Sequence, residues 1–280
     1  MRPGWLFMGG GGMLAVFPYA YAILLPAAYP LVIAMLLGLI LHGVAFEFRT
    51  RDPRRILLWE RAFMIGSFLA TMMQGMILGT ILQGIKVENN AYAGAYFDWL
   101  TPFTLLTGLS LVMGYVLLGA AWLIWRTDGS LQGRAKRAAP GLAWFVLAAM
   151  AVVCIASVTV QDIYLDRWLS FPKVIFAFLI PIGMVLAGLK LIRSIDRSAD
   201  HVPFMMAIAI FLLGFAGLGI SIFPDFLPPS LTIQQAAAPR PSLSFLLVGA
   251  AIIVPIILAY TGWAYWVFRG KTRIDAKGYH

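Results

Sequence analysis

Apolar residues in this chain fall into long unbroken runs, at 5 to 25, 28 to 48, 60 to 85, 99 to 125, 140 to 161, 171 to 193, 203 to 223 and 243 to 268. About 20 apolar residues at 1.5 Å each are needed to cross a bilayer as a helix, and every run meets that length. Barrel strands would instead alternate in polarity over about ten residues. Hydrocarbon offers backbone polar groups no water, so each segment has to satisfy its own hydrogen bonds as a helix. The pattern predicts an all-α polytopic transmembrane bundle of about eight helices, with residues 1–280 forming a single integral membrane domain. A very short turn at Pro26 separates the first two runs and predicts a tight helical hairpin there.

Polar residues gather between the runs, and their charge alternates. One set of loops is basic: Arg49, Arg51, Arg54 and Arg55; Arg126, Arg134, Lys136 and Arg137; Lys190, Arg193 and Arg197; and the tail with Arg269, Lys271, Arg273 and Lys277. The other set holds Glu88 and Asp98, then Asp162, Asp166 and Arg167, then Asp225 and Arg240. Short basic loops stay in the cytoplasm, so eight crossings place both termini there. Only Met1 to Gly4 precede the first run, and no small-residue cleavage site follows it, so that run is expected to remain as a membrane helix rather than a signal peptide.

Composition sharpens this picture. Hydrophobic residues are 61% and charged residues 12% of the chain, against roughly 45–50% and 25% in soluble domains. The formal charge of +9 comes from Lys and Arg between apolar runs, which suits topology and anionic lipid headgroups rather than a nucleic-acid-binding face. Cys154, the one cysteine, lies within an apolar run and reads as a packing residue. Small residues four apart, Gly75 with Gly79 and Gly183 with Ala187, predict close helix contacts, and Gly9 to Gly12 reads as a further packing face. Trp99, Trp122, Trp125, Trp263, Tyr265 and Trp266 sit at segment ends as an interfacial aromatic belt. Pro181 and Pro255 predict kinks within spans.

Ionisable groups inside a membrane are costly and are the first places to look for function. Glu47 ends the second run beside Arg49, and pairing with a neighbouring arginine is its plainer reading; a proton relay or subunit contact is the alternative. Of His42, His201 and His280, only His42 falls on a predicted helix, near its end. Haem ligation draws on imidazoles inside a bundle, so this chain is not expected to build a haem or metal site alone. Gln74 and Gln83 flank the small-residue pair of the third run, where their amides suit bonds to neighbouring helices or to a quinone carbonyl. The chain has no catalytic triad, zinc motif or nucleotide loop. A secondary transporter would be expected to carry inverted repeats and polar midplane residues; the sequence has no charged midplane pair.

Four stretches carry a family resemblance: WLFMGGGGMLAVFPYAYA from Trp5, HGVAFEFR over 42 to 49, GYVLLGAAWLIWRTDG over 114 to 129, and FPDFLPPSLTIQQAAAPRPSLSFLLVG followed by PIILAYTGWAYWVFRGK ending at Lys271. Together they resemble subunit II of the cytochrome bd quinol oxidases, in its cyanide-insensitive branch. The resemblance implies a heterodimer with subunit I, which carries the b and d haems and the quinol-oxidising loop. The complex reduces dioxygen to water with cytoplasmic protons, in the bacterial inner membrane. This chain is then the haem-free half, stabilising its partner and contributing to oxygen and proton access; a structural quinone and a small accessory subunit are compatible additions.

Residue by residue, Trp5 matches the tryptophan beside the family's lateral oxygen route. Glu47 and Arg49 match the GVAFEFR motif, Asp225 the FPD motif, and Arg269 the terminal FRGK. Structure or subunit contact is the expected role of all four. Departures are the absence of the family's first helix with its DGFDLG-like motif and WDG aspartate, and Gln234 where a tryptophan is expected after LTI. The expectation is a late start or a truncation, the latter leaving a non-functional subunit as an alternative.

Overall fold

The computed structural model describes residues 4–267 except 90, 162, 172 and 196–199, with side chains from residue 10 onward. Helices α1 (Gly4–Val16), α2 (Pro18–Arg51), α3 (Ile56–Gln83), α4 (Pro102–Arg126), α5 (Gly129–Val160), α6 (Ile163–Leu169), α7 (Lys173–Ser194), α8 (Val202–Ile222), α9 (Ile233–Ala236) and α10 (Arg240–Val267) make up almost all of it. Strands β1 (Val87–Glu88) with β2 (Ala91–Tyr92), and β3 (Asp225–Leu227) with β4 (Leu231–Thr232), form two small antiparallel hairpins. The all-α transmembrane architecture is as expected. Among the described residues seven helices, α2, α3, α4, α5, α7, α8 and α10, are long and apolar enough to span a membrane.

The difference from eight lies in the first two runs. Residues 5–25 and 28–48 are not two spans joined at Pro26, because α2 runs for 34 residues with Pro26 and Pro30 inside it. Each proline removes only one backbone donor from the helix ladder. Packing holds the rest, since Ala20, Ile23, Leu24, Ala27, Ala28 and Leu31 are all buried. The chain bends instead at Phe17 (ψ 59°), where Pro18 disfavours helical geometry in the residue before it. Helix-like bonds still cross the bend, from Phe17 N to Met13 O at 2.8 Å and from Tyr21 N to Phe17 O at 3.0 Å.

At about 51 Å, α2 outreaches the roughly 30 Å hydrocarbon layer. Its first turns form a core with Ile85, Leu227, Leu231 and Ala236 of the inter-helix loops, on the side away from the basic loops. Val16 O accepts a 2.8 Å bond from Ala238 N, just before α10. The bend therefore sits beside the start of α10, at the opposite end of α2 from Arg49 and Arg51.

Glycine sets the closest helix approach. A Cβ on Gly66 would lie 2.7 Å from Gly38 O and 2.7 Å from His42 N, so α2 and α3 touch backbone to backbone. Gly75 meets Gly108, and Gly79 meets Thr104 and Thr107, joining α3 to α4 through the predicted small-residue pair. Among the described residues, a Cβ on Gly10, Gly11 or Gly12 would meet nothing within 4 Å, so these three glycines make no close helix contact there. A second core joins α4, α5, α7 and α8 through Leu117, Ile124, Ala139, Ala143, Met184, Leu191 and Ile210. Cys154 is exposed on α5 rather than packed, and α10 has no buried side chain among the described residues.

Candidate functional site

Two polar regions sit at opposite ends of the bundle: an inner one among the basic loops and an outer one at the end away from them, the labels following those loops alone. The outer one is built from short segments distant in sequence. Arg167 of α6 donates from Nη1 to Ser221 O at 3.0 Å and Ile222 O at 2.8 Å, and from Nη2 to Asp225 Oδ2 at 2.5 Å. The guanidinium thus caps the C-terminal carbonyls of α8, where a cation is favoured by the helix dipole. It also clamps the strand that follows. The two side chains are only 10% and 7% exposed, so each neutralises a charge that would otherwise be buried. Trp168 Nε1 donates to Ser221 Oγ at 2.9 Å on the same helix end.

Gln83 ends α3 and connects this cap to its neighbours. Its Nε2 donates to Asp98 O at 2.7 Å and its Oε1 accepts from Thr101 Oγ1, the N-cap of α4, at 2.8 Å. Gln161 Nε2 donates to Gln83 O at 2.8 Å, and Tyr164 OH to Leu82 O at 2.7 Å. Burial pushes the Tyr164 phenol up to about 12. Burial first, and then the Asp98 carboxylate beside it, also raise Tyr92. Gln83, Tyr92 and Asp98 line a cavity of about 280 Å³ with Thr80 and Lys86. A second cavity of about 470 Å³ lies between Tyr19, Ser230 and Gln235.

The inner region holds the histidine and glutamate singled out from sequence. His42 Nδ1 lies 2.7 Å from Ser67 Oγ, and its ring packs 4.1 Å from Phe63. Glu47 pairs with Arg51 at 2.7 Å and not with Arg49, because residues four apart share a helix face whereas residues two apart do not. Arg49 reaches across to Glu60 of α3 at 2.9 Å. All four side chains are about half exposed or more. Behind them on the inner face, Lys136 and Gln132 both reach Asp200, each at 3.2 Å. Gln74 receives a long 3.4 Å bond from Tyr115 OH on α4. The side chain of Trp5, and Arg269 and His280 altogether, lie outside the described residues.

The two described histidines lie apart from both cavities: His42 is held between Ser67 and Phe63, and His201 is exposed at the start of α8. Among the described residues no three His, Cys, Asp or Glu side chains come together as a metal site.

Arg167 is the key residue that the sequence reading passed over. Its signal was there: it is a cation in an outer loop, against the positive-inside trend, with Asp225 in the next outer loop. Together these call for a pair.

The family of the cytochrome bd terminal oxidase subunit II matches residues 4–268. The chain is 29% identical to cytochrome bd-I ubiquinol oxidase subunit 2 of Escherichia coli (strain K12), over 95% of this chain and 80% of the relative. It is 27% identical to cytochrome bd ubiquinol oxidase subunit 2 of Bacillus subtilis (strain 168), with the same coverage. The fold superimposes on a chain of the bd oxidase from Geobacillus thermodenitrificans with a TM-score of 0.74 at 16% identity, covering 95% of this chain and 81% of that one. With the outer cap and the long spans in place, the chain belongs to the cytochrome bd terminal oxidase subunit II family.

Proposed function

We propose that this chain is the haem-free subunit of a quinol-oxidising, dioxygen-reducing membrane complex. It pairs with a haem-bearing subunit I in a bacterial inner membrane, with its basic loops in the cytoplasm. The observation that carries this reading is the family match over residues 4–268, with relatives named as ubiquinol oxidase subunits. Oxygen reduction itself is assigned to the b and d haems of subunit I. What this chain supplies is a rigid apolar wall, an outer cap locked by Arg167 and Asp225, and a hydrated inner mouth.

Glu47, Arg49 and Glu60 keep water and charge at the inner end of α2 and α3, one or two turns from His42 and Ser67. That arrangement supports a role in bringing cytoplasmic protons toward the subunit interface. Trp5, Gln74 and Arg269 are assigned to contacts with subunit I or to the oxygen route, and Asp225 to holding the cap. Bound quinone and a small accessory subunit belong to the same reading.

Deleting the gene tests the proposal. Membranes from the deletion strain should lose quinol-dependent oxygen uptake by this oxidase and regain it with the plasmid-borne gene. Uptake unchanged by the deletion, with other oxidases inhibited or absent, would reject the assignment.

A further inference from the structure

A polar side chain turned outward at the mid-depth of a bilayer marks a place that lipid does not cover well, because acyl chains offer it no hydrogen bond. Helix α3 carries one. Gln74 is exposed and lies about 21 Å along the helix from Glu60 and about 14 Å from Gln83, at 1.5 Å per residue. In a hydrocarbon layer of roughly 30 Å it reaches water at neither end. Its Oε1 accepts a long 3.4 Å bond from Tyr115 OH, and its Nε2 has no partner among the described residues.

Gln74 belongs to a stripe. Glu60, Ser67 and Gln74 recur every seven residues, with Thr71 four residues after Ser67, so all of them share one face of α3. A seven-residue repeat is the pattern of one helix lying along another at a shallow angle. The neighbouring helices flank this face and leave it open: α2 meets Gly66, just before Ser67, and α4 meets Gly75, just after Gln74. Nearer the inner end the polar groups are occupied, since Glu60 pairs with Arg49 and Ser67 Oγ donates to Phe63 O and lies 2.7 Å from His42 Nδ1. Deeper in, the Thr71 hydroxyl and the Gln74 Nε2 group have no partner among the described residues.

On the pairing with subunit I set out above, we propose that Glu60, Ser67, Thr71 and Gln74 form the seam along which a transmembrane helix of subunit I lies against α3, with the Gln74 amide donating a hydrogen bond across the interface. Two features select this occupant. Lipid headgroups do not reach the depth of Gln74, and acyl chains carry no acceptor. A small polar molecule would satisfy Gln74 alone and leave the repeat back to Glu60 unexplained, whereas a helix meets α3 at every second turn.

The test places p-benzoylphenylalanine at position 74 or at position 65 of the chain, co-expressed with subunit I, and irradiates the membranes before purification. Ile65 is 54% exposed and lies on the face of α3 opposite Gln74. The probe at 74 should give an adduct with a subunit I peptide by mass spectrometry, and the probe at 65 should give phospholipid adducts. In a second measurement, Gln74→Leu should raise the fraction of subunit I lost on detergent dilution about threefold, the effect of removing one interhelical hydrogen bond. On a lipid-covered face the same change would leave subunit I retention as it was and raise Tm, because an amide would have left the hydrocarbon.

Adducts at 74 only with phospholipid, with a small molecule or with another copy of this chain would overturn the seam. So would equal subunit I adducts from 74 and 65, or unchanged subunit I retention by Gln74→Leu. Absence of subunit I from the wild-type preparation would instead refute the pairing beneath it.

Discussion

Asp225→Ala is the most informative single change in the cap. It leaves the Arg167 guanidinium, on a side chain only 10% exposed, with the Ser221 and Ile222 carbonyls but no counter-charge. Breaking a buried pair by removing one partner costs roughly 3–5 kcal/mol, and the two remaining carbonyls put this site at the lower end, about 3 kcal/mol. If the cap opens as a local unit, amides of 163–170 and 221–236 should exchange with deuterium roughly 150-fold faster than in wild type. Hydrogen-exchange mass spectrometry of the detergent-solubilised complex reads this directly. Replacing both partners, as in Arg167→Met with Asp225→Leu, removes both charges and should recover most of the loss. Exchange within about twofold of wild type for Asp225→Ala would refute the reasoning. So would a coupling energy below about 0.5 kcal/mol in the Arg167→Ala and Asp225→Ala double-mutant cycle.

Other changes separate packing from lipid-facing positions. Gly66→Leu should lower the yield of folded protein and the Tm, because its Cβ meets only backbone of α2 at 2.7 Å and overpacking of this kind costs about 1–3 kcal/mol. Gly119→Ala, with nothing within 4 Å, should leave Tm unchanged or raise it. Tyr164→Phe should speed exchange at the end of α3 by roughly five- to tenfold, as one buried hydrogen bond to Leu82 O is lost. Tyr164 also sets an alkaline limit. Its phenol is raised from 10.0 to about 12 by burial, so the folded chain holds that proton more tightly than the unfolded one. Its contribution to stability is fully present below pH 10 and is lost as pH climbs through about 12; Tyr164→Phe should flatten that decline in a pH series of thermal melts.

The helices after residue 56 were readable because each apolar run is about one bilayer long and ends at a charge or a turn. Only the beginning misled. Pro26 sits between two runs of suitable length, yet a proline inside a helix costs little visible pattern when neighbours pack around it. The first turns of α2 pack into an apolar core with Ile85, Leu227 and Leu231 and belong to one long helix rather than to a separate span. Apolar runs do not distinguish those two arrangements.

The cap was illegible for a different reason: its bonds join Gln161 to Gln83, 78 residues apart, and Ser230 to Ile85, 145 apart. No local periodicity encodes such contacts. Glu47 shows the opposite case, where pairing with an arginine was readable but its partner is Arg51 rather than Arg49, as helical spacing dictates.

Whether this chain is the haem-free half of a two-subunit oxidase is tested most directly by a reduced-minus-oxidised absorbance spectrum of the affinity-tagged chain, purified once with subunit I co-expressed and once without it. Haem b and d bands accompanied by subunit I in the first preparation, and none in the second, are the predicted result. Stoichiometric haem on the chain purified alone, or no subunit I in the joint preparation, would contradict it.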